Sequence, residues 1–270
     1  MPYIKLNTLN FYYEVEGTGF PLVLLSGLAC DSTHWNFVKP FLTQHFQVIT
    51  FDNRSVGRSE TPSTSYTLGE MAKDVVCFLD YLHLSKVHIL GHSMGGAIAQ
   101  IISHQYSGYV ERLIISHSFA KIKPRGFFWM QHCASLYDAQ KNIEETVPVV
   151  TPWIFSNNFF ENPKRVEELL MLKKNDPYPQ SACGFRQQIE AIKTFNSSAW
   201  IHEISLPTCV IAGKEDILTP ADQSYYLHQQ IQNSHLILQE GAHAPMFEMP
   251  EAYAEDVRRF LQMKFDVCLT

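Results

Sequence analysis

Along the first 120 residues short apolar runs alternate with longer amphipathic ones, the pattern of a mainly parallel sheet covered by helices. "LNFYYEVEG" and "PLVLLSG" read as strands broken by the turn residues of "GTGFP". "DSTHWNFVKPFLTQ" then offers a capping run followed by Trp35, Val38, Phe41 and Leu42 at helical spacing, which predicts a helix. A strand in "QVITFD", a helix from about Leu68 to Leu82, a strand in "KVHIL", a helix from about Gly95 to Tyr106 and a strand in "ERLIISHS" follow. From about Lys121 to Trp200 the pattern becomes aromatic-rich and is broken by prolines at 124, 148, 152, 163, 177 and 179. Alternation resumes with the strand "LPTCVIAG", a helix after "TPAD", the strand "SHLILQ" and a last helix from about Pro250. The expected organisation is one α/β core domain, residues 1–120 and 201–270, interrupted by a helical insertion over 121–200.

Composition narrows the chemistry. With 270 residues, 46% of them hydrophobic, the chain is long enough to bury a large core. Its net charge of −6, from 21 basic and 27 acidic residues without long single-sign runs, argues against nucleic acid or an anionic membrane as partner. The start, "MPYIKLNTLNFYYEVEG", alternates apolar and polar positions and is not expected to be a secretory signal. No window approaches the apolar length of a membrane span. The six cysteines (Cys30, Cys77, Cys133, Cys183, Cys209, Cys268) are scattered without metal or C-x-x-C spacing, so free thiols in the cytoplasm are expected. No metal or organic cofactor is implied, and Cys30 reads as a small apolar filler.

The chemistry-bearing stretch is "VHILGHSMGGAIAQ", which supplies strand, tight turn and helix in the order a G-x-S-x-G nucleophile elbow requires. Gly91 and Gly95 are expected where the crowded, strained turn leaves no room for a Cβ, with Ser93 exposed at its apex. Gly96, Ala97 and Ala99 let the following helix approach the sheet closely. The pentapeptide alone is a weak signal; partners decide. A Ser hydroxyl needs a base to take its proton, and the base needs a carboxylate to fix its tautomer. In this type of fold the acid precedes the His along the chain. Asp216 in "IAGKEDILTP" and His243 in "QEGAHAPMFEMPE" each lie just beyond an apolar strand, at the strand ends where sites of open α/β sheets assemble. Glu215 is the competing acid. Of the 12 histidines, His92 and His104 also fall near the elbow and read as packing or hydrogen-bonding groups. Met94, the residue after the nucleophile, is the expected first oxyanion donor through its backbone N–H.

At "GHSMGG" (91 to 96), "FDNRSVGRS" (51 to 59), "IAGKEDILTP" (211 to 220) and "GAHAPMFEMPE" (241 to 251) the chain resembles the α/β-hydrolase family, specifically small esterases and lactonases with a lid. The resemblance covers nearly the whole chain and implies an eight-stranded, mostly parallel sheet flanked by helices, with a helical lid after the sixth strand. It implies Ser93 as nucleophile, His243 as base and then acid, and Asp216 as the residue orienting His243. Relatives commonly have His-Gly where this chain has Ser26-Gly27, and by that register Leu28 supplies the second oxyanion amide. Asp52 and Arg54 are expected to hold loops together. The insertion resembles the lids of 3-oxoadipate enol-lactonase-like hydrolases; Trp153, Phe155, Phe159, Phe160, Tyr178 and Phe185 would line a pocket or form the lid's own core. Lys121, Lys123, Arg125, Lys164, Arg165, Lys173 and Lys174 could meet an acidic carrier, as in pimeloyl-carrier methyl ester esterases, or simply coat a solvated surface. The expected activity is hydrolysis of a small carboxylic ester or lactone through an acyl-enzyme. The same triad also serves carbon–carbon, thioester or lyase chemistry, or a slow-turnover ligand receptor.

Overall fold

The computed structural model describes residues 3–263. Its strands are β1 (Tyr3–Leu6), β2 (Leu9–Glu16), β3 (Phe20–Leu25), β4 (Phe46–Phe51), β5 (Val87–His92), β6 (Val110–Ser116), β7 (Thr208–Gly213) and β8 (Ser234–Gln239). They form one eight-stranded sheet in the order β1-β2-β4-β3-β5-β6-β7-β8. The β1/β2 and β2/β4 pairings are antiparallel and all others parallel. β5 and β7 are buried at every position, which is why they read as continuous apolar runs: helices cover both faces. β1 instead alternates, with Ile4 and Leu6 buried and Tyr3 and Lys5 exposed.

The helices are α1 (Lys39–Leu42), α2 (Leu68–Tyr81), α3 (Met94–Gln105), α4 (Pro124–Asp138), α5 (Ile143–Val150), α6 (Asn157–Phe160), α7 (Pro163–Lys174), α8 (Ala182–Thr194), α9 (Ala221–Gln230), α10 (Pro245–Glu248) and α11 (Pro250–Leu261). The single helix predicted over "DSTHWNFVKPFLTQ" is broken into a 3-10 turn, Ser32–Trp35, and the one-turn α1. Pro40 explains the break: in a continuous helix its ring would meet the Asn36 carbonyl. Trp35, Val38 and Leu42 are nonetheless fully buried, so the apolar spacing marks the right face. α2 starts at a capping box in which Thr67 and Glu70 satisfy one another's backbone N–H.

Alternation along β3 divides the core. Val23 and Leu25 join a cluster with α2 and α3 residues such as Val75 and Ile98; Leu22 and Leu24 face Val257 and Phe260 of α11. Among the described residues five α-helices, α4 to α8, stand between β6 and β7. Cys30, Cys77, Cys133, Cys183 and Cys209 are free thiols, and Cys268 lies outside the described residues. Among the described residues no helix is long and apolar enough to cross a membrane.

Candidate active site

β5 runs straight into α3 through Ser93, whose φ of 56° and ψ of −119° place it in the strained left-handed region. Neighbours hold it there. Its N–H donates to the Ser116 carbonyl at 2.9 Å, and its carbonyl accepts from Ser118 Oγ at 2.7 Å. Both elbow glycines are required by contact: a Cβ on Gly91 would run into the Gly95 carbonyl of α3, and one on Gly95 into the Leu25 carbonyl of β3. The elbow is thus wedged between β3 and α3, with its Ser side chain at the C-terminal edge of the sheet.

Two distant loops meet it. His243, just beyond β8, points Nε2 at Ser93 Oγ across 3.1 Å. Its Nδ1 lies 2.8 Å from Asp216 Oδ2, in the loop after β7. All three residues are buried. Burial on its own pushes the Asp216 carboxyl up, but His243, His117 and the Thr219 N–H outweigh it and hold the group below its ordinary value. An ionised carboxylate only accepts hydrogen bonds, so His243 carries its proton on Nδ1 and turns the Nε2 lone pair toward the Ser93 hydroxyl. Asp216 Oδ1 accepts from the N–H groups of Leu218 and Thr219 at 2.9 and 2.8 Å, and Thr219 Oγ1 lies 2.8 Å from Oδ2. The backbone of His243 is fixed as well: its N–H donates to the Ile154 carbonyl at 2.9 Å, and its carbonyl accepts from His92 Nε2 at 2.8 Å.

The loop after β3 lies against Ser93, since a Cβ on Gly27 would sit 3.1 Å from Ser93 Cβ. Leu28 follows it directly. The Met94 N–H belongs to the first turn of α3, where amides lack an intrahelical acceptor. Ser26 is fully buried and supports the loop: its Oγ accepts from Trp35 Nε1 at 2.8 Å and donates to the Asp31 carbonyl at 3.1 Å.

The other candidates fall into place. Glu215 is exposed and accepts from Asn157, turned away from His243. His104 stacks on Trp200 and bonds Glu203. Asp52 accepts from Ser32 N at 2.7 Å and Arg58 N at 3.0 Å, and Arg54 clasps Asp74 at 2.6 and 2.7 Å, so both tie loops together. Of the basic residues in the insertion, Lys123 pairs with Asp222, Arg125 lies over Trp153, Arg165 bonds the Glu248 carbonyl and Lys174 faces Glu144. Phe155, Phe159 and Phe185 are buried and Phe160 and Tyr178 exposed.

Sequence reasoning missed two neighbours of Asp216 and His243. Thr219 was legible in principle, because an Asp followed three residues later by Thr is a local side-chain turn pattern. His117, in the left-handed region at φ 48° and with its ring centroid 6.1 Å from that of His243, carries no such mark.

A family model of the α/β hydrolase fold matches residues 21–250, and the chain belongs to that family. It is similar to the poly(3-hydroxyalkanoate) depolymerase of Ectopseudomonas oleovorans, with 29% identity over 252 residues, covering 90% of this chain and 85% of that protein. It is 26% identical over 241 residues to 3-oxoadipate enol-lactonase 2 of Acinetobacter baylyi, covering 89% of this chain and 88% of that one. Among solved structures, the enol-lactonase from Burkholderia xenovorans LB400 matches with a TM-score of 0.88 at 24% identity, covering 97% of this chain and all of that one (100%), a likeness of fold.

Proposed function

We propose that the protein is a serine hydrolase that cleaves a small carboxylic ester or lactone, with Ser93, His243 and Asp216 as its triad. The continuous relay from Ser93 Oγ through His243 to Asp216, at 3.1 and 2.8 Å, carries the proposal. Ser93 Oγ attacks the substrate carbonyl carbon while His243 Nε2 takes the hydroxyl proton. The carbonyl oxygen becomes an oxyanion, held by the Leu28 and Met94 N–H groups. Collapse expels the alkoxide, which leaves with the proton from His243. A water then gives a proton to His243, attacks the acyl carbon, and releases the acid with Ser93 restored.

Residues 121–200 serve as the lid over a core formed by 1–120 and 201–270, and the relatives named above favour an ester or lactone over other scissile bonds. An ester on an acidic carrier is the weaker reading, because four of the basic residues in the insertion are engaged within the chain. The free thiols suit a cytoplasmic enzyme. The test is turnover of p-nitrophenyl esters from acetate to octanoate by the wild type and by Ser93→Ala. The variant is expected to lose at least about a thousandfold. A fluorophosphonate label found on any residue but Ser93, or undiminished turnover in Ser93→Ala, overturns the assignment.

A further inference from the structure

Helix α8 sends a fully buried amide, Gln188, to the loop that carries the second oxyanion donor. Gln188 Oε1 accepts from the Ala29 N–H at 3.1 Å and from Gln180 Nε2 at 3.0 Å, while its Nε2 donates to the Arg54 carbonyl at 3.1 Å. These partners fix the orientation of the amide: two donors face the oxygen and a carbonyl faces the nitrogen. Gln180 in turn donates to the Ser55 carbonyl at 2.8 Å. Ala29 and Ser55 both lie in the left-handed region, at φ 59° and 70°. Gln188 of α8 and Gln180, two residues before that helix, therefore hold two backbone positions that would relax elsewhere if released.

The first of these bears on the chemistry. Cys30 N–H donates to the Gly27 carbonyl at 3.3 Å, closing a turn with Leu28 and Ala29 at its centre. A positive φ at the third residue of such a turn is the type II arrangement, which normally calls for Gly. Here the residue is Ala, so the alternative in which the Leu28–Ala29 peptide turns over is intrinsically favoured for this side chain. Turning it over would swing the Ala29 N–H away from α8 and lose its acceptor. Gln188 selects the observed turn.

We propose that Gln188 is a positioning residue for the oxyanion site: by accepting from the Ala29 N–H it keeps the whole Gly27–Cys30 turn in its observed form and seated on α8, so that the Leu28 N–H carried by that turn stays beside Ser93. This rests on the serine-hydrolase reading, in which Leu28 donates to the oxyanion. The function is exerted on a transition state, so its loss falls on kcat.

Gln188→Met keeps the bulk of the side chain and removes the acceptor. Because losing a whole oxyanion donor costs about 10²–10³ in kcat, displacing one is expected to lower kcat about tenfold or more on p-nitrophenyl butyrate, with KM within about twofold. Adding Ala29→Gly, which adopts positive φ freely, should restore most of the lost kcat. Gln188→Glu retains an oxygen for Ala29 and, with the buried carboxyl in its neutral form, an O–H for the Arg54 carbonyl, and should keep kcat within about threefold of wild type. A role confined to docking α8 would give no rescue by Ala29→Gly. Unchanged kcat in Gln188→Met, or a loss that Ala29→Gly does not repair, overturns the proposal. If Gln188→Met does not fold, Gln188→Glu decides: a large fall in kcat at unchanged Tm counts against it. Ser93→Ala is run alongside; if it stays active, the reading of the site itself has failed, whereas a dead Ser93→Ala beside a normal Gln188→Met removes only Gln188.

Discussion

Mild acid should strip this protein of several kcal/mol of stability through its buried imidazoles. Burial holds His34 down to about 3, with Lys173 and His243 adding to the effect. It holds His117 down to about 4, and His88 likewise to about 4, where Arg112 contributes. His92 is pushed well below its ordinary value by burial and by the other rings around it. His34, His92, His117 and His243 form a chain of rings, with His34–His92 centroids at 5.0 Å and His92–His243 at 4.9 Å, so a proton on one is felt by the rest. A pKa lowered in the folded state means that, below the ordinary value near 6.5, the unfolded chain binds protons the folded one refuses. Stability is therefore full above that value and falls as pH drops toward the folded pKa. At about 1.4 kcal/mol per pH unit, each such imidazole costs about 2 kcal/mol between pH 6.5 and pH 5. His34, His88 and His117 together reach about 6 kcal/mol, with His92 acting in the same direction, against a typical total of about 5–15 kcal/mol. Asp52 and Asp74, whose carboxyls burial pushes up, work in the opposite direction. Urea unfolding at pH values from about 7.5 to about 5 should show a loss of several kcal/mol, and half the summed figure is still a large share of the reserve. His34→Phe, whose ring can pack against Trp35 and Phe247 as the imidazole does, should reduce the slope by about one proton. Stability that stays level from pH 7 to pH 5, or an unaltered slope in His34→Phe, would show that these rings take up protons in place.

Other outcomes follow from the site. Asp216→Asn should lower kcat about 10³–10⁴-fold in steady-state assays with little change in Tm, because an amide can hold the wrong His243 tautomer. Thr219→Val removes a hydroxyl beside both Asp216 and His243 and should cost about 1–2 kcal/mol in urea unfolding, with a smaller kcat loss than Asp216→Asn. Gly95→Ala drives a methyl into the Leu25 carbonyl and should cost about 3 kcal/mol or more by calorimetry, or prevent folding.

The sheet was largely legible because buried parallel strands leave continuous apolar runs, and "VHIL" and "TCVIAG" became β5 and β7 as read. β1 was hidden in the alternation of "YIKL", four residues with no turn signal before them. The helix after β3 was misjudged since apolar spacing survives a break that Pro40 makes necessary. Ser93, Asp216 and His243 could be named because a glycine-bracketed turn and strand-end loops have local signatures, and the structure brings the three together. The grip of α8 on Ala29 had none: it joins residues 159 apart, and a Gln on a helix face looks like any solvated position.

The Ile154 carbonyl that accepts from the His243 backbone N–H gives the helical insertion a hand on that residue, whereas the backbone of Ser93 is held by Ser116 at the end of β6 and Ser118 just beyond it. Anyone grafting a different insertion onto this scaffold inherits the Ser93 elbow intact. The graft must still present a backbone oxygen where Ile154 stands, or the proton relay will drift while the hydroxyl waits in place.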